Sequence, residues 1–188
     1  LYFLVCFNAC LPVAAAGMQS NWIGDPSIGE ARLISAVTAS GDLEKLPLGL
    51  EFRLAPGWKI YWRTPGEAGL SPRIDLMVDG DPVESQIKWP VPKRFNAFGF
   101  DNYGYDNTVI LPLDVSGFTA GTTLQLTGQV EALACAEICV PLGGTVKITV
   151  PAGPALVSAD ARAMAQAAAL VPRQGGHASL VPDHLWQV

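Results

Sequence analysis

An all-β fold is what the sequence predicts: an immunoglobulin-like antiparallel β-sandwich, followed by a short C-terminal helix and a linker. Three observations carry this expectation. About eight short runs alternate apolar and polar residues, the period of two that marks a half-buried strand. Turn signals drawn from 15 prolines and 19 glycines separate those runs. No helical run intervenes among them, which favours strands paired through tight turns over a parallel βαβ arrangement.

The strands follow in order. Ala31 to Ala39 is the first β-prone run, with Leu33 and Val37 opposite Ile34 and Thr38. Leu48 to Leu54 is the clearest, placing Leu48, Leu50, Phe52 and Leu54 on one face and Gly49, Glu51 and Arg53 on the other. Pro56-Gly57 turns the chain into Trp58 to Arg63, where Trp58, Ile60 and Trp62 oppose Lys59, Tyr61 and Arg63. The two tryptophans read as core. Thr64-Pro65-Gly66-Glu67 is a further turn.

Ile74, Leu76 and Val78 mark the next strand, which Asp79-Gly80-Asp81-Pro82 ends. Val83, Ser85, Ile87 and Trp89 alternate with Glu84, Gln86 and Lys88 until Pro90-Val91-Pro92 stops them, because proline donates nothing to a ladder. Lys93 to Asn107 reads as a loop rich in aromatic rings. Val109, Leu111, Leu113 and Val115 resume the alternation. Thr122 to Val130 and Thr145 to Val150 alternate likewise, with Cys135-Ala136-Glu137-Ile138-Cys139 between them. The cysteines therefore sit where two antiparallel strands meet, at disulfide distance. After Pro151 the character shifts. Ser158 is the expected N-cap of an Ala-rich helix from Ala159 to Leu170, which Pro172 ends.

A length of 188 residues fits one domain with a tail, and is enough to bury a core without staples. A hydrophobic fraction of 49% against 15% charged residues describes an ordered globular chain. The net charge of -5 argues against nucleic acid as a partner, since phosphate binding rests on clustered Lys and Arg. Leu1 to Ala16 is apolar apart from Asn8 and closes on Ala14-Ala15-Ala16, the pattern of a partial secretory signal whose true start is missing. Pro12 interrupts it, and a membrane-spanning helix needs ~20 apolar residues. Export removes Cys6 and Cys10 with the signal and leaves Cys135 and Cys139 in an oxidising compartment, where two thiols become a disulfide unless kept reduced.

What that pair does stays open at the level of residue types. As a staple it closes a loop of about five residues, worth only ~2 kcal/mol in the chain-entropy picture. A metal site wants further ligands, and the two histidines, His177 and His184, lie in the tail. Copper(I) bound by soft thiolates is a weaker alternative. Redox exchange is the remaining reading. No Lys, Arg or His lies between Glu131 and Gly144, so sequence neighbours activate neither thiol. Such a pair suits a disulfide attacked by another protein's thiolate better than a free-standing oxidoreductase. A non-catalytic immunoglobulin-like binding module with a structural bridge is the alternative from a different class.

The run Cys135 to Pro141 resembles the active site of the amino-terminal periplasmic domain of DsbD-type thiol–disulfide reductases, in particular the ScsB branch. Pro56-Gly57-Trp58-Lys59-Ile60-Tyr61-Trp62, with Pro65-Gly66-Glu67-Ala68-Gly69 behind it, is similar to a second signature of these domains. Gly104-Tyr105 leading into Val109-Ile110-Leu111-Pro112-Leu113 is similar to a third. The resemblance implies an immunoglobulin-like redox domain over residues 20–152, after a signal over 1–16 and before a helix and linker over 153–188 that lead into a further region. It implies Cys135 and Cys139 as the catalytic pair, with Cys139 attacking first, and no bound cofactor or metal. Electrons would come from membrane-embedded and thioredoxin-like domains of the same polypeptide and pass to soluble periplasmic thioredoxin-like proteins. The domain would be periplasmic and tethered to the inner membrane through the rest of that polypeptide. The family also carries a mobile loop whose aromatic ring covers the disulfide; Phe98, Phe100 and Tyr103 are the candidates here. The three-residue spacing between the cysteines departs from the longer spacing of the best-known DsbD domain.

Overall fold

A computed structural model of the chain describes residues 18–66, 69–97 and 99–172. The expected export signal, the tail with His177 and His184, and Phe98 lie outside the described residues, as do the side chains of Ala97 and Phe100.

Two antiparallel sheets face each other. The first contains β1 (Met18–Gln19), β2 (Ile23–Asp25), β3 (Gly29–Ser35), β4 (Leu46–Leu54), β8 (Glu84–Ile87) and β11 (Thr108–Ser116). Its order is β1-β3-β4-β11-β8, with β2 also on β3. The second contains β5 (Lys59–Gly66), β6 (Arg73–Val78), β7 (Asp81–Pro82), β9 (Lys93–Ala97), β10 (Phe100–Asp106), β12 (Leu124–Cys135) and β13 (Cys139–Val150). Its order is β7-β6-β12-β5-β10-β9, with β13 on the other edge of β12. The expected immunoglobulin-like sandwich is what forms.

Alternation decides what lies between the sheets. Leu46, Leu48, Leu50, Phe52 and Leu54 of β4 all point inward, and Leu111, Leu113 and Val115 of β11 join them from the same sheet. Leu124, Leu126, Val130, Ala132 and Ala134 of β12 meet them from the other sheet, with Leu142, Val146, Ile148 and Val150 of β13. Each large aliphatic side chain removed from water in this way contributes roughly 1.5–3 kcal/mol, so this layer holds the sandwich together. Trp58 and Trp62 pack at its margin, as their alternation foretold.

Two local expectations change. Lys93 to Asp106 is not a loop but the β9–β10 hairpin, pairing from Phe100↔Ala97 to Gly104↔Lys93. Its residues lack a clean apolar–polar alternation because the hairpin lies at the sheet edge, where β9 has one neighbour. The helix α1 (Ala161–Ala169) begins two residues later than expected, with Asp160 as N-cap. The Ser158 hydroxyl is taken up elsewhere: it donates to the Ser35 carbonyl at 2.5 Å. It also accepts the Asp160 N–H at 3.2 Å. Val157 bridges to Val37, and the Ser158 N–H bonds the Ala36 carbonyl at 3.0 Å, so the chain returns to the first sheet before the helix starts. Met164 and Ala167 are the helix residues that become buried.

Candidate active site

The longest ladder in the molecule ends on the cysteines. β12 and β13 pair without a break from Leu124↔Val150 to Cys135↔Cys139, with Ala136, Glu137 and Ile138 left to make the turn. The continuous register fixes where both sulfurs point, since residues directly opposite in an antiparallel pair project to the same face. The disulfide is closed, with S–S 2.03 Å and Cα atoms 4.1 Å apart. Its two halves differ in access. Cys135 is 2% exposed, whereas Cys139 is exposed and Ile138 beside it is 65% exposed.

The other edge of β12 is shared. β6 occupies it from Leu126 to Glu131, and β5 meets it at one position, Cys135↔Lys59. β10 then pairs Asp106 with Lys59. Lys59, Cys135 and Cys139 therefore form a row across β5, β12 and β13 on the outer face of the second sheet. Ala134, one residue before Cys135, belongs to the inter-sheet core. This row was not legible in the sequence, because a lysine 76 positions from a cysteine becomes its neighbour only through strand register.

An outer face is expected to be wet, yet Tyr61 on that face has no exposed surface. Two glycines explain how it is covered. Gly69, at φ +120°, lies so close that a Cβ there would stand 2.5 Å from the Tyr61 ring. Gly104 of β10 has no room for a side chain either, its Cβ position being 2.1 Å from the Ile60 carbonyl oxygen and 3.0 Å from the Phe95 ring. The Phe95 ring thus lies across β10 and reaches Tyr61, centroid to centroid 6.0 Å. The Tyr61 hydroxyl is buried with no hydrogen-bond partner among the described residues. Loss of water pushes its pKa up.

Lys59 completes the cluster. Its ammonium donates to the Gly57 carbonyl at 3.0 Å and stands 5.4 Å from the Phe95 centroid. Among the described residues it enters no ion pair, while Asp106 beyond it is held by Lys93 at 2.5 Å and Glu131 by Arg73 at 2.5 Å.

The shielding candidates fall in different places. Tyr103 is 39% exposed and meets Trp62 edge-on at 6.5 Å, on the side of β5 opposite Lys59 and Tyr61. Phe98 and the Phe100 ring lie outside the described residues. Phe95, which lies in the aromatic-rich stretch but is not among the three shielding candidates, is the described ring that reaches the Cys135 side of β5. The signal that could have singled it out is Gly104, whose bare backbone leaves the space Phe95 fills.

No group of three or more metal-ligating side chains occurs among the described residues. Nor is any described helix long and apolar enough to cross a membrane. The profile of the family described as "Thiol:disulfide interchange protein DsbD, N-terminal" matches residues 30–151, well over half of the chain. The chain belongs to that family. Among solved structures it is similar to the N-terminal periplasmic domain of ScsB from Proteus mirabilis, with 28% identity and a TM-score of 0.68. That match covers 86% of this chain but 62% of the ScsB domain, so the chain spans less than two thirds of the relative. No curated protein sequence matches it. The match fits a sandwich closed by a cysteine hairpin and a thiol:disulfide interchange domain within a larger protein.

Proposed function

We propose that this chain is the periplasmic relay domain of a membrane thiol–disulfide reductase, exchanging electrons through Cys135 and Cys139. The observation that carries the reading is the unequal burial of the bridge: Cys139 is open to a partner and Cys135 is not. In the inward step a donor thiolate attacks the Cys139 sulfur, since exchange requires a clear approach to the sulfur attacked. The Cys135–Cys139 bond breaks and its electron pair stays on Cys135 as a thiolate. A second donor thiol then attacks the mixed disulfide, releases Cys139 as a thiolate and leaves the donor oxidised. Both released thiolates take up protons. Outward transfer is the reverse, with Cys139 attacking the disulfide of the acceptor. The donor is a thioredoxin-like domain of the same polypeptide, fed through a membrane-embedded domain, and the acceptors are soluble periplasmic thioredoxin-like proteins.

Shielding fits the same role. The aromatic hairpin β9–β10 lies over the Cys135 side of the sheet through Phe95, whose ring would exclude stray thiols. Tyr103 turns to the other side of β5, and Phe98 and the Phe100 ring, outside the described residues, stay candidates from the resemblance alone. Trapping tests the reading. Mixed with an oxidised thioredoxin-like protein, the reduced chain carrying Cys135→Ser should accumulate a mixed disulfide through Cys139. The Cys139→Ser chain should accumulate little. Equal trapping by both, or by neither, overturns the assignment.

A further inference from the structure

Exchange at Cys139 requires Cys135 to hold a negative charge at the moment the bridge opens. Its immediate surroundings oppose that charge. The residue is almost fully buried, which disfavours a thiolate, and Glu137 in the adjoining turn adds a like charge. A leaving thiolate that is hard to form leaves slowly. Something must offset both effects if the bridge is to open readily.

We propose that Lys59 is the charge-positioning residue for Cys135, stabilising the thiolate released when the Cys135–Cys139 bond breaks. Lys59 is the residue of β5 in direct register with Cys135. Cross-strand neighbours have Cβ atoms about 4.5–5.5 Å apart, within reach of a side chain with four rotatable bonds. Among the described residues the ammonium is also uncommitted to any carboxylate. Its partners are a neutral carbonyl, Gly57, and a neutral ring, Phe95.

The other charged groups around the site do not replace it. On β10, Asp106 faces Lys59 but is answered by Lys93. Further along β12, Glu131 is answered by Arg73 on β6. On β5 the next side chain on this face is Tyr61, a buried neutral phenol whose proton is held more tightly than usual. β13 contributes Cys139 itself, and the turn contributes Glu137. Lys59 is thus the cation that the sheet places beside Cys135.

The assignment rests on the exchange reading above, but its test needs no partner. With Cys6, Cys10 and Cys139 replaced by Ser in the full chain, Cys135 is the sole thiol. Its titration is then followed by NMR of isotope-labelled cysteine Cβ. Lys59→Met should raise the titration midpoint by about one pH unit, the lower end of what one nearby opposite charge produces. Lys59→Arg should restore it to within a few tenths of a unit. Lys59→Gln is the second neutral variant should the Met form fail to fold. A midpoint unchanged by either neutral substitution, or raised equally by Arg, overturns the proposal. If the midpoint follows Lys59 while trapping through Cys139 fails, the exchange reading falls and the Lys59 assignment stands. If trapping succeeds and the midpoint ignores Lys59, the reverse holds.

Discussion

Two buried tyrosines, neighbours across β5 and β10, face opposite sides of the second sheet. Tyr105 points into the inter-sheet core and its hydroxyl donates to the Pro90 carbonyl at 2.8 Å. Tyr61 is buried on the outer face, two residues along β5 from the Lys59 that pairs with Cys135, and its hydroxyl has no partner among the described residues. A buried polar group without a partner costs about 1–3 kcal/mol, whereas a paired one contributes about 1 kcal/mol. The Tyr105 hydroxyl therefore adds to stability, although the Trp62 indole N–H, on the same side of β5 as the core, is buried without a partner among the described residues. The outer face carries a cost at the place where the cysteines end their ladder, as is usual where a site must stay able to open.

The largest expected effect breaks the inner face. Phe52 has no exposed surface and sits in the middle of the core, so Phe52→Ala should lower unfolding free energy by about 3–5 kcal/mol in urea titrations. A cost below about 1 kcal/mol would mean that the inner layer does not hold the sheets together.

Removing the bridge comes next. Replacing Cys135 and Cys139 together by Ser should cost about 2 kcal/mol, because the closed loop is short. Circular dichroism should show the sandwich retained, while electron transfer to a thioredoxin-like acceptor disappears. Loss of the fold on this substitution would return the disulfide to the role of a staple.

How much of this was legible in the sequence follows the same division. The inner face was readable because alternation along Leu48 to Leu54, or along Thr122 to Val130, depends on one strand at a time. The cysteine hairpin was readable for the same reason. The outer face was not. Lys59 meets Cys135, and Phe95 reaches Tyr61 over Gly104, only through the register of strands far apart in sequence. The β9–β10 hairpin was also obscured: Pro90, Pro92, Gly99 and Gly104 look like loop punctuation, and Gly104 is in fact a strand residue kept bare by the Ile60 carbonyl.

A smaller effect sharpens the inner half of the comparison. Tyr105→Phe loses the bond to Pro90 and should cost about 1 kcal/mol at neutral pH. Burial raises the Tyr105 pKa above its ordinary value. The folded state therefore holds the phenol proton more tightly than the unfolded state does. That contribution is fully present below the unfolded value near about 10 and is lost as pH rises towards the folded one. The parent chain should thus lose stability above about pH 10 more steeply than Tyr105→Phe. Parallel curves would show that the tyrosine does not govern the alkaline limb.

The smallest effect tests the outer half. Tyr61 is also buried, so its pKa too is raised by loss of water and its loss on alkaline unfolding has the same sign. Yet Tyr61→Phe removes a hydroxyl that makes no bond among the described residues and leaves a gap no larger than that oxygen. The ring contacts with Phe95 and Gly69 remain. Stability at neutral pH should therefore stay within about 0.5 kcal/mol of the parent or rise, in contrast to the loss at Tyr105. A loss of about 1 kcal/mol would mean that the hydroxyl is bonded after all, and would remove the distinction between the two faces. If the substitution is neutral for stability but slows reduction of the disulfide by dithiothreitol, then the phenol serves the cysteine pair, and the unpaired hydroxyl belongs to the site.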